Sequence, residues 1–299
     1  MMRVGFVGVG VMGAPIARNI LKGGFPVTVH DVDGVAVDRL VVAGAARAGS
    51  PRAVAEGTDM VITMVPDAPD VEAVALGTDG ILAGARPGLI YVDMSTIDPI
   101  TTRRVGAAMA ARGVRMIDCP VGRTTAHAEA GRLLLMLGGD PEDIEAVRPV
   151  LACTADTFIY CGPLGNGSAT KVVNNYLALS IAAAAAESLA IGARAGLSVE
   201  HMLDVFRATM AANAQVDQAM RQKALADDFT PGFMVRLGHK DLRLAIDMAR
   251  AFGVETPVGR AAFDAFGEAC RLGLEREDVS SILRVREGEA GVRVRLSGR

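Results

Sequence analysis

The stretch Lys171-Val172-Val173-Asn174-Asn175-Tyr176-Leu177-Ala178 carries the strongest chemical signal in this chain. Lys171, Asn174, Asn175 and Ala178 stand at i, i+3, i+4 and i+7, so on a helix they share one face. Adjacent asparagines are poor helix-interior residues and costly to bury without partners. Beside a lysine, and among Ala, Val and Leu, they predict a polar pocket in an apolar wall. Removing an ammonium from water lowers its proton affinity toward working pH, which suits a general acid. The local pattern alone also fits a lysine reaching to solvent and two asparagines in caps or loops.

A second segment is Asp118-Cys119-Pro120-Val121-Gly122-Arg123-Thr124-Thr125. Gly122 lets a backbone N–H approach a ligand closely. Arg123 offers a planar donor fork for a carboxylate, phosphate or sulfonate, and Thr124 adds a hydroxyl. A surface salt bridge is the competing role for Arg123. Further along, Pro231-Gly232-Phe233 precedes Leu237-Gly238-His239-Lys240-Asp241-Leu242, where Lys240 brings a second positive charge toward substrate or cofactor. His239 and Asp241 are alternate neighbours and would not face together on a helix. None of the four histidines has clear metal-ligand spacing, so no metal site is expected. The four cysteines form no C-x-x-C pair and read as buried or inert thiols, which fits a reducing cytoplasm.

Gly8-Val9-Gly10-Val11-Met12-Gly13 is a G-x-G-x-x-G. It follows a predicted strand and opens a predicted helix, the context that gives the pattern meaning. The first glycine permits a tight turn, the second lets backbone approach a pyrophosphate, and the third lets the helix lie close on the strand. The helix N-terminus supplies N–H groups and a positive dipole end for the phosphates. Asp31 lies about 20 residues on, where an acid accepts hydrogen bonds from a ribose diol and repels a 2′-phosphate, favouring NAD over NADP. Arg39 or Arg3, approaching in space, would soften that preference. Ligands in such sheets lie at the carboxyl ends of the strands. There, the backbone of Met64-Val65-Pro66 would line the nicotinamide side, and Ser95 and Thr96 would offer hydroxyls to ribose or substrate. Capping of a helix ahead of Pro99 is the competing role for Ser95 and Thr96.

These residues need a scaffold, and the pattern supplies one. Strands are predicted at Val4–Val7, Val27–His30, Met60–Val65, Leu89–Val92 and Val114–Ile117, with later ones at Arg132–Leu137 and Thr157–Tyr160. Helix-length segments between them imply βαβ units and a largely parallel sheet. From Gly167 to about Gly196 the chain reads as one long helix rich in Ala and Leu, and everything after it reads as helical. The expectation is an α/β Rossmann-like domain over 1–164, followed by an all-α domain over 165–299 joined by the long helix. The basic end, Gly291 to Arg299, is expected to be frayed.

Composition narrows the field. The 299 residues are 51% apolar and 22% charged, enough for a core and too apolar for a disordered chain. With 31 Lys plus Arg against 34 Asp plus Glu and no basic block, nucleic-acid binding is not expected. The glycines of the N-terminal stretch break up any export signal, and Glu187 and Arg194 interrupt the Ala run before a membrane span accumulates. A cytoplasmic protein is expected.

Taken in order, Gly8-x-Gly10-x-Met12-Gly13-x-Pro15, Asp93-Met94-Ser95-Thr96, Lys171-x-x-Asn174-Asn175, and Phe233 with Lys240-Asp241-Leu242 resemble the β-hydroxyacid dehydrogenase family over nearly the whole chain. The resemblance implies an NAD(P)-binding Rossmann domain, an all-α domain, an active site in the cleft between them, and homodimers or homotetramers packed through the helical domains. It implies that Lys171 is the catalytic lysine and that Asn175 orients substrate or lysine. It implies that Lys240 lies near cofactor and substrate, and that Val11, Met12, Asp31, Val65, Thr96 and Phe233 contact cofactor. Most members carry Ser-Gly-Gly where this chain has Gly122-Arg123-Thr124. That variant resembles the sulfolactaldehyde reductase branch, in which the arginine and the asparagine segment, here Asn174, hold a sulfonate. Ala178 departs from that branch's serine, and Thr209–Asn213 replaces a Gly/Lys-containing stretch.

The expected reaction is hydride transfer between NAD(H) and a short anionic semialdehyde and its hydroxy acid. The sulfonate substrate is the first expectation. The alternatives are 3-hydroxyisobutyrate, 4-hydroxybutyrate (succinic semialdehyde) and tartronate semialdehyde chemistry. An NAD-binding sensor or scaffold without turnover is the rival outside enzymes.

Overall fold

A computed structural model of the chain describes residues 1–296. It divides into two compact units, Met1–Val172 and Val173 onward. The division lies within the long helix Asn166–Arg194, and the loop of residues 163–165 stands immediately ahead of that helix.

The first unit is built on a nine-stranded sheet: β1 (Val4–Val7), β2 (Val27–His30), β3 (Ala46–Arg47), β4 (Met60–Thr63), β5 (Ile90–Asp93), β6 (Arg115–Asp118), β7 (Val121–Gly122), β8 (Leu133–Gly138) and β9 (Ala155–Gly162). The spatial order is β3-β2-β1-β4-β5-β6-β8-β7, with β9 on β8. Strands β1 to β6 run parallel, and β8 enters antiparallel to β6. In β1, β4 and β5 every residue is buried, as expected of short apolar runs covered on both faces. Order reverses on either side of β1, which makes the crevice between β1 and β4 the topological switch point where ligands bind in such sheets. The two-residue strands β3 and β7 escaped the sequence reading because so short a run carries no periodicity.

The second unit is rich in helix: the remainder of the long helix, then Val199–Ala208, Val235–Ala251, Pro257–Arg271 and Ile282–Ala290. Its core gathers Leu179, Ala186, Leu189, Leu203, Leu242 and Phe266. The long helix has the length and composition of a membrane span, yet half of its most apolar window is buried within the protein. Its alanines serve the core.

The frayed end needs correction for residues 291–296. Val294 is fully buried, Leu296 N–H donates to Leu225 O at 3.1 Å, and the Arg295 guanidinium reaches Asp227 at 2.8 Å and also Glu287. Alternating valines and arginines there bury one side chain and pair the next. Residues 297–299 lie outside the described ones.

Candidate active site

The glycine loop shows why three glycines are needed. Gly8 has φ +90°, and a Cβ on it would sit 2.3 Å from the Met64 carbonyl oxygen. A Cβ on Gly13 would sit 1.9 Å from the Gly8 carbonyl oxygen, so the helix Gly13–Lys22 could not seat. Gly10 is different: a Cβ there would meet nothing within 4 Å. That open space is what an approaching pyrophosphate requires. Met12, at the N-cap of the Gly13–Lys22 helix, makes no side-chain cap bond, and the first turn holds no acid. No side chain therefore offsets the positive dipole end of this helix, which suits an anion. Val11 beside it is exposed.

Asp31 follows β2. Its Oδ2 accepts from Val9 N–H at 2.6 Å and its Oδ1 from Asp33 N–H at 2.9 Å. The carboxylate thus ties down the glycine loop, and its remaining lone pairs suit a ribose diol. Arg3, which might have offset this negative charge, pairs with Asp59 at 2.7 Å and holds that carboxyl down to about 2, chiefly by its hydrogen bond.

Across the switch point, Met64 N–H donates to Val7 O at 3.0 Å and Val65 N–H donates to Ser95 Oγ at 3.0 Å. Ser95 is buried, and its own N–H donates to Asp93 Oδ1 at 3.0 Å. Thr63 Oγ1 donates to the same oxygen at 2.8 Å and lies 2.8 Å from the Tyr91 hydroxyl. Burial, then the nearby Asp93 charge, push the Tyr91 phenol well above its ordinary range. This network fixes the backbone at Met64 and Val65. Neither Ser95 nor Thr96 caps the following helix: Asp98 does, accepting from Ile100 and Thr101 N–H.

Gly122 is buried in β7, paired with Leu134 of β8. Arg123 has φ +76°, a left-handed conformation rare outside glycine. Its guanidinium donates to Asp156 Oδ1 at 2.6 Å and Thr157 Oγ1 at 2.9 Å, and also to the Arg132 carbonyl. The Thr157 hydroxyl first, then Arg123, hold the Asp156 carboxyl down to about 2. Thr124 Oγ1 lies 2.9 Å from His127 Nδ1. Both side chains of this segment are engaged locally.

On the long helix Lys171 is half-buried, Asn174 exposed and Asn175 buried. Both asparagines lie inside the helix, not in caps or loops. Asn175 Nδ2 donates to Asp241 Oδ2 at 2.6 Å, and Asn174 Nδ2 donates to Asn175 Oδ1 at 3.0 Å. Lys240 Nζ stands 3.1 Å from the other Asp241 oxygen. One buried carboxylate therefore fixes the amide orientation of Asn175 and neutralises a lysine. Phe233 is half-buried against the second unit's core. His239 stacks on Phe263 with ring centroids 4.1 Å apart, and burial, then Arg243 and Arg271, keep its imidazole below its ordinary range.

Comparison with known proteins identifies the family. The family profile described as the NAD binding domain of 6-phosphogluconate dehydrogenase matches residues 3–162, and that described as NAD-binding of NADP-dependent 3-hydroxyisobutyrate dehydrogenase matches residues 165–286. The chain is 35% identical over 296 residues to 3-sulfolactaldehyde reductase of Escherichia coli strain K12, covering 99% of both chains. The chain belongs to the β-hydroxyacid dehydrogenase family. This β-hydroxyacid dehydrogenase is also 36% identical over 288 residues to NAD-dependent L-serine dehydrogenase of Pseudomonas aeruginosa, covering 94% of this chain and 97% of the relative. The crystal structure of Mycobacterium tuberculosis 3-hydroxyisobutyrate dehydrogenase with L-serine matches it with a TM-score of 0.89 at 32% identity, over 95% of this chain and 99% of that one. The dehydrogenase is an NAD(P)-dependent oxidoreductase, as its relatives are.

Within the first unit of this β-hydroxyacid dehydrogenase, the structure packs Gly8 against the Met64 carbonyl and Gly13 against Gly8, bonds Asp31 to Val9 of the same loop, and bonds Val65 to Ser95. Within the second it joins Asn174, Asn175 and Lys240. Asp241 is the residue sequence reasoning missed. It entered that reading as a neighbour of His239 and as part of the Lys240-Asp241-Leu242 motif, with no role of its own, because its partner Asn175 lies 66 residues away and no local pattern links them.

Proposed function

We propose that the enzyme interconverts a short anionic semialdehyde and its hydroxy acid, with Lys171 as the proton donor and acceptor. The observation that carries this reading is the helix face of Lys171, Asn174 and Asn175, with Asn175 held by the buried Asp241 carboxylate at 2.6 Å. A bound NAD(H) supplies or accepts the hydride, and the open space at Gly10 with the Asp31 carboxylate fits the NAD form. In reduction Lys171 protonates the developing alkoxide and its charge stabilises that oxygen, while Asn175 fixes the geometry. In oxidation Lys171 must first lose its proton, so the oxidative rate rises with pH. Lys171→Ala is expected to lower kcat by at least ~100-fold with NADH binding retained. Turnover near the wild-type rate would remove Lys171 from this role.

Arg123, Thr124 and Asn174 are read as the holders of the anionic head group. Arg123 and the similarity to 3-sulfolactaldehyde reductase favour a sulfonate. A carboxylate substrate is the second reading, favoured by Ala178, which lacks a hydroxyl, and by the Arg123–Asp156 pair. A panel of kcat/KM values for 3-sulfolactaldehyde, L-serine, 3-hydroxyisobutyrate, succinic semialdehyde and tartronate semialdehyde, with each nicotinamide cofactor, separates them. Tight NADH binding with no turnover of any of these would favour a sensor. Exposed Val173, Leu177 and Ile191 along one stripe of the long helix support self-association as a homodimer or homotetramer.

A further inference from the structure

We propose that Asp118 is the positioning residue for Lys171, bolting the start of the long helix to the end of β6. Its carboxylate is fully buried and holds two backbone donors at the helix entrance: Gly165 N–H on Oδ1 at 2.7 Å and Ser168 N–H on Oδ2 at 2.6 Å. The first N–H groups of a helix have no partner within it. Here the cap comes from another element, 47 and 50 residues earlier in the chain. A negative charge at a helix N-terminus also meets the positive end of the dipole. Burial pushes the Asp118 carboxyl up, and the Gly165 and Ser168 N–H groups oppose that shift.

The surroundings leave room for this carboxylate and little else. A Cβ on Gly138 would lie 2.3 Å from its Oδ1, and one on Gly167 would lie 3.0 Å from its Oδ2. Ser168 adds a second tie, its hydroxyl lying 3.1 Å from that of Thr102 in the Pro99–Ala110 helix. Lys171 follows Ser168 by three residues, about one helical turn. The loop to Gly122, Arg123 and Thr124 leaves β6 directly after Asp118. One carboxylate thus sets the strand end that carries the anion-binding segment and the helix turn that carries the proton donor. Misplacing a catalytic group by about 1 Å can cost ~100-fold in rate.

This inference rests on Lys171 being the proton donor, so the test separates the two. Asp118→Asn keeps the shape but turns an amide donor toward one of the N–H groups. It is expected to lower kcat by ~10- to 100-fold with KM for NADH within about twofold. If Asp118 acts through Lys171, the same substitution made in Lys171→Ala lowers kcat by less than about twofold further. An equal loss in both backgrounds, or an unchanged kcat in the single variant, overturns the positioning role. Wild-type turnover in Lys171→Ala overturns the proton-donor reading instead. Should Asp118→Asn fail to fold, Asp118→Ser decides. It removes the carboxylate while keeping a small acceptor for the Gly165 and Ser168 N–H groups, and should lower kcat several-fold in the Lys171 protein and leave it unchanged in the Lys171→Ala protein. Equal losses there, or none in either, sink the proposal.

Discussion

The glycine loop after β1 and the Asn175–Asp241–Lys240 cluster answer the same need, a fixed set of polar groups, in opposite ways. The loop is made of backbone. Gly8 and Gly13 let main chain pack on main chain, and Gly10 leaves the approach open. The cluster is made of side chains held by one buried carboxylate. Backbone geometry tolerates no added atom, whereas a side-chain cluster tolerates no lost charge.

Four substitutions test that contrast, beginning with the largest effect. Asp241→Asn should destabilise the fold by about 3–5 kcal/mol, since removing one partner of a buried charge pair leaves the other uncompensated, and should lower kcat because Asn175 loses the carboxylate that holds its amide. NADH affinity should stay within about twofold, and a matching loss of NADH binding would show that the two regions are not separate devices. Next, Gly10→Ala should weaken NADH by ~10-fold at unchanged thermal stability, while Gly13→Ala should destabilise the fold by about 1–3 kcal/mol through overpacking. Equal stability losses from both would end the distinction between an open glycine and packed ones. The smallest effect belongs to the exposed Arg123–Asp156 pair. Because the folded Asp156 carboxyl is held down to about 2, its stabilisation is full above the ordinary carboxylate range near pH 4 and fades as pH falls toward 2. A melting-temperature difference between wild type and Asp156→Asn should be present at pH 7 and vanish near pH 2.

The same contrast explains what the sequence revealed. Gly8 to Asp31 is a local unit, in which strand, turn, helix and acid follow within one βα step, so residue order alone predicted it. The long helix was legible from its unbroken Ala and Leu pattern, and its asparagine face from i, i+3, i+4 spacing. Asp241 and Asp118 were illegible because each works on groups far along the chain, through bonds that periodicity cannot register. Ser95 was half legible: its place at a strand end was plain, but its bond to Val65 N–H depends on β4 and β5 lying side by side. The segment 291–296 was misread because valine and arginine in alternation resemble a solvated tail until Glu287 and Asp227 are brought beside them.

Arg123 enters its resting state already holding an acid of its own. A molecule that takes over the Nη1 and Nη2 donors of this guanidinium does so by exchange with Asp156 and Thr157. The gain is then a difference between two acceptors, which discriminates against small weakly bound anions and rewards one that also finds partners beyond the arginine.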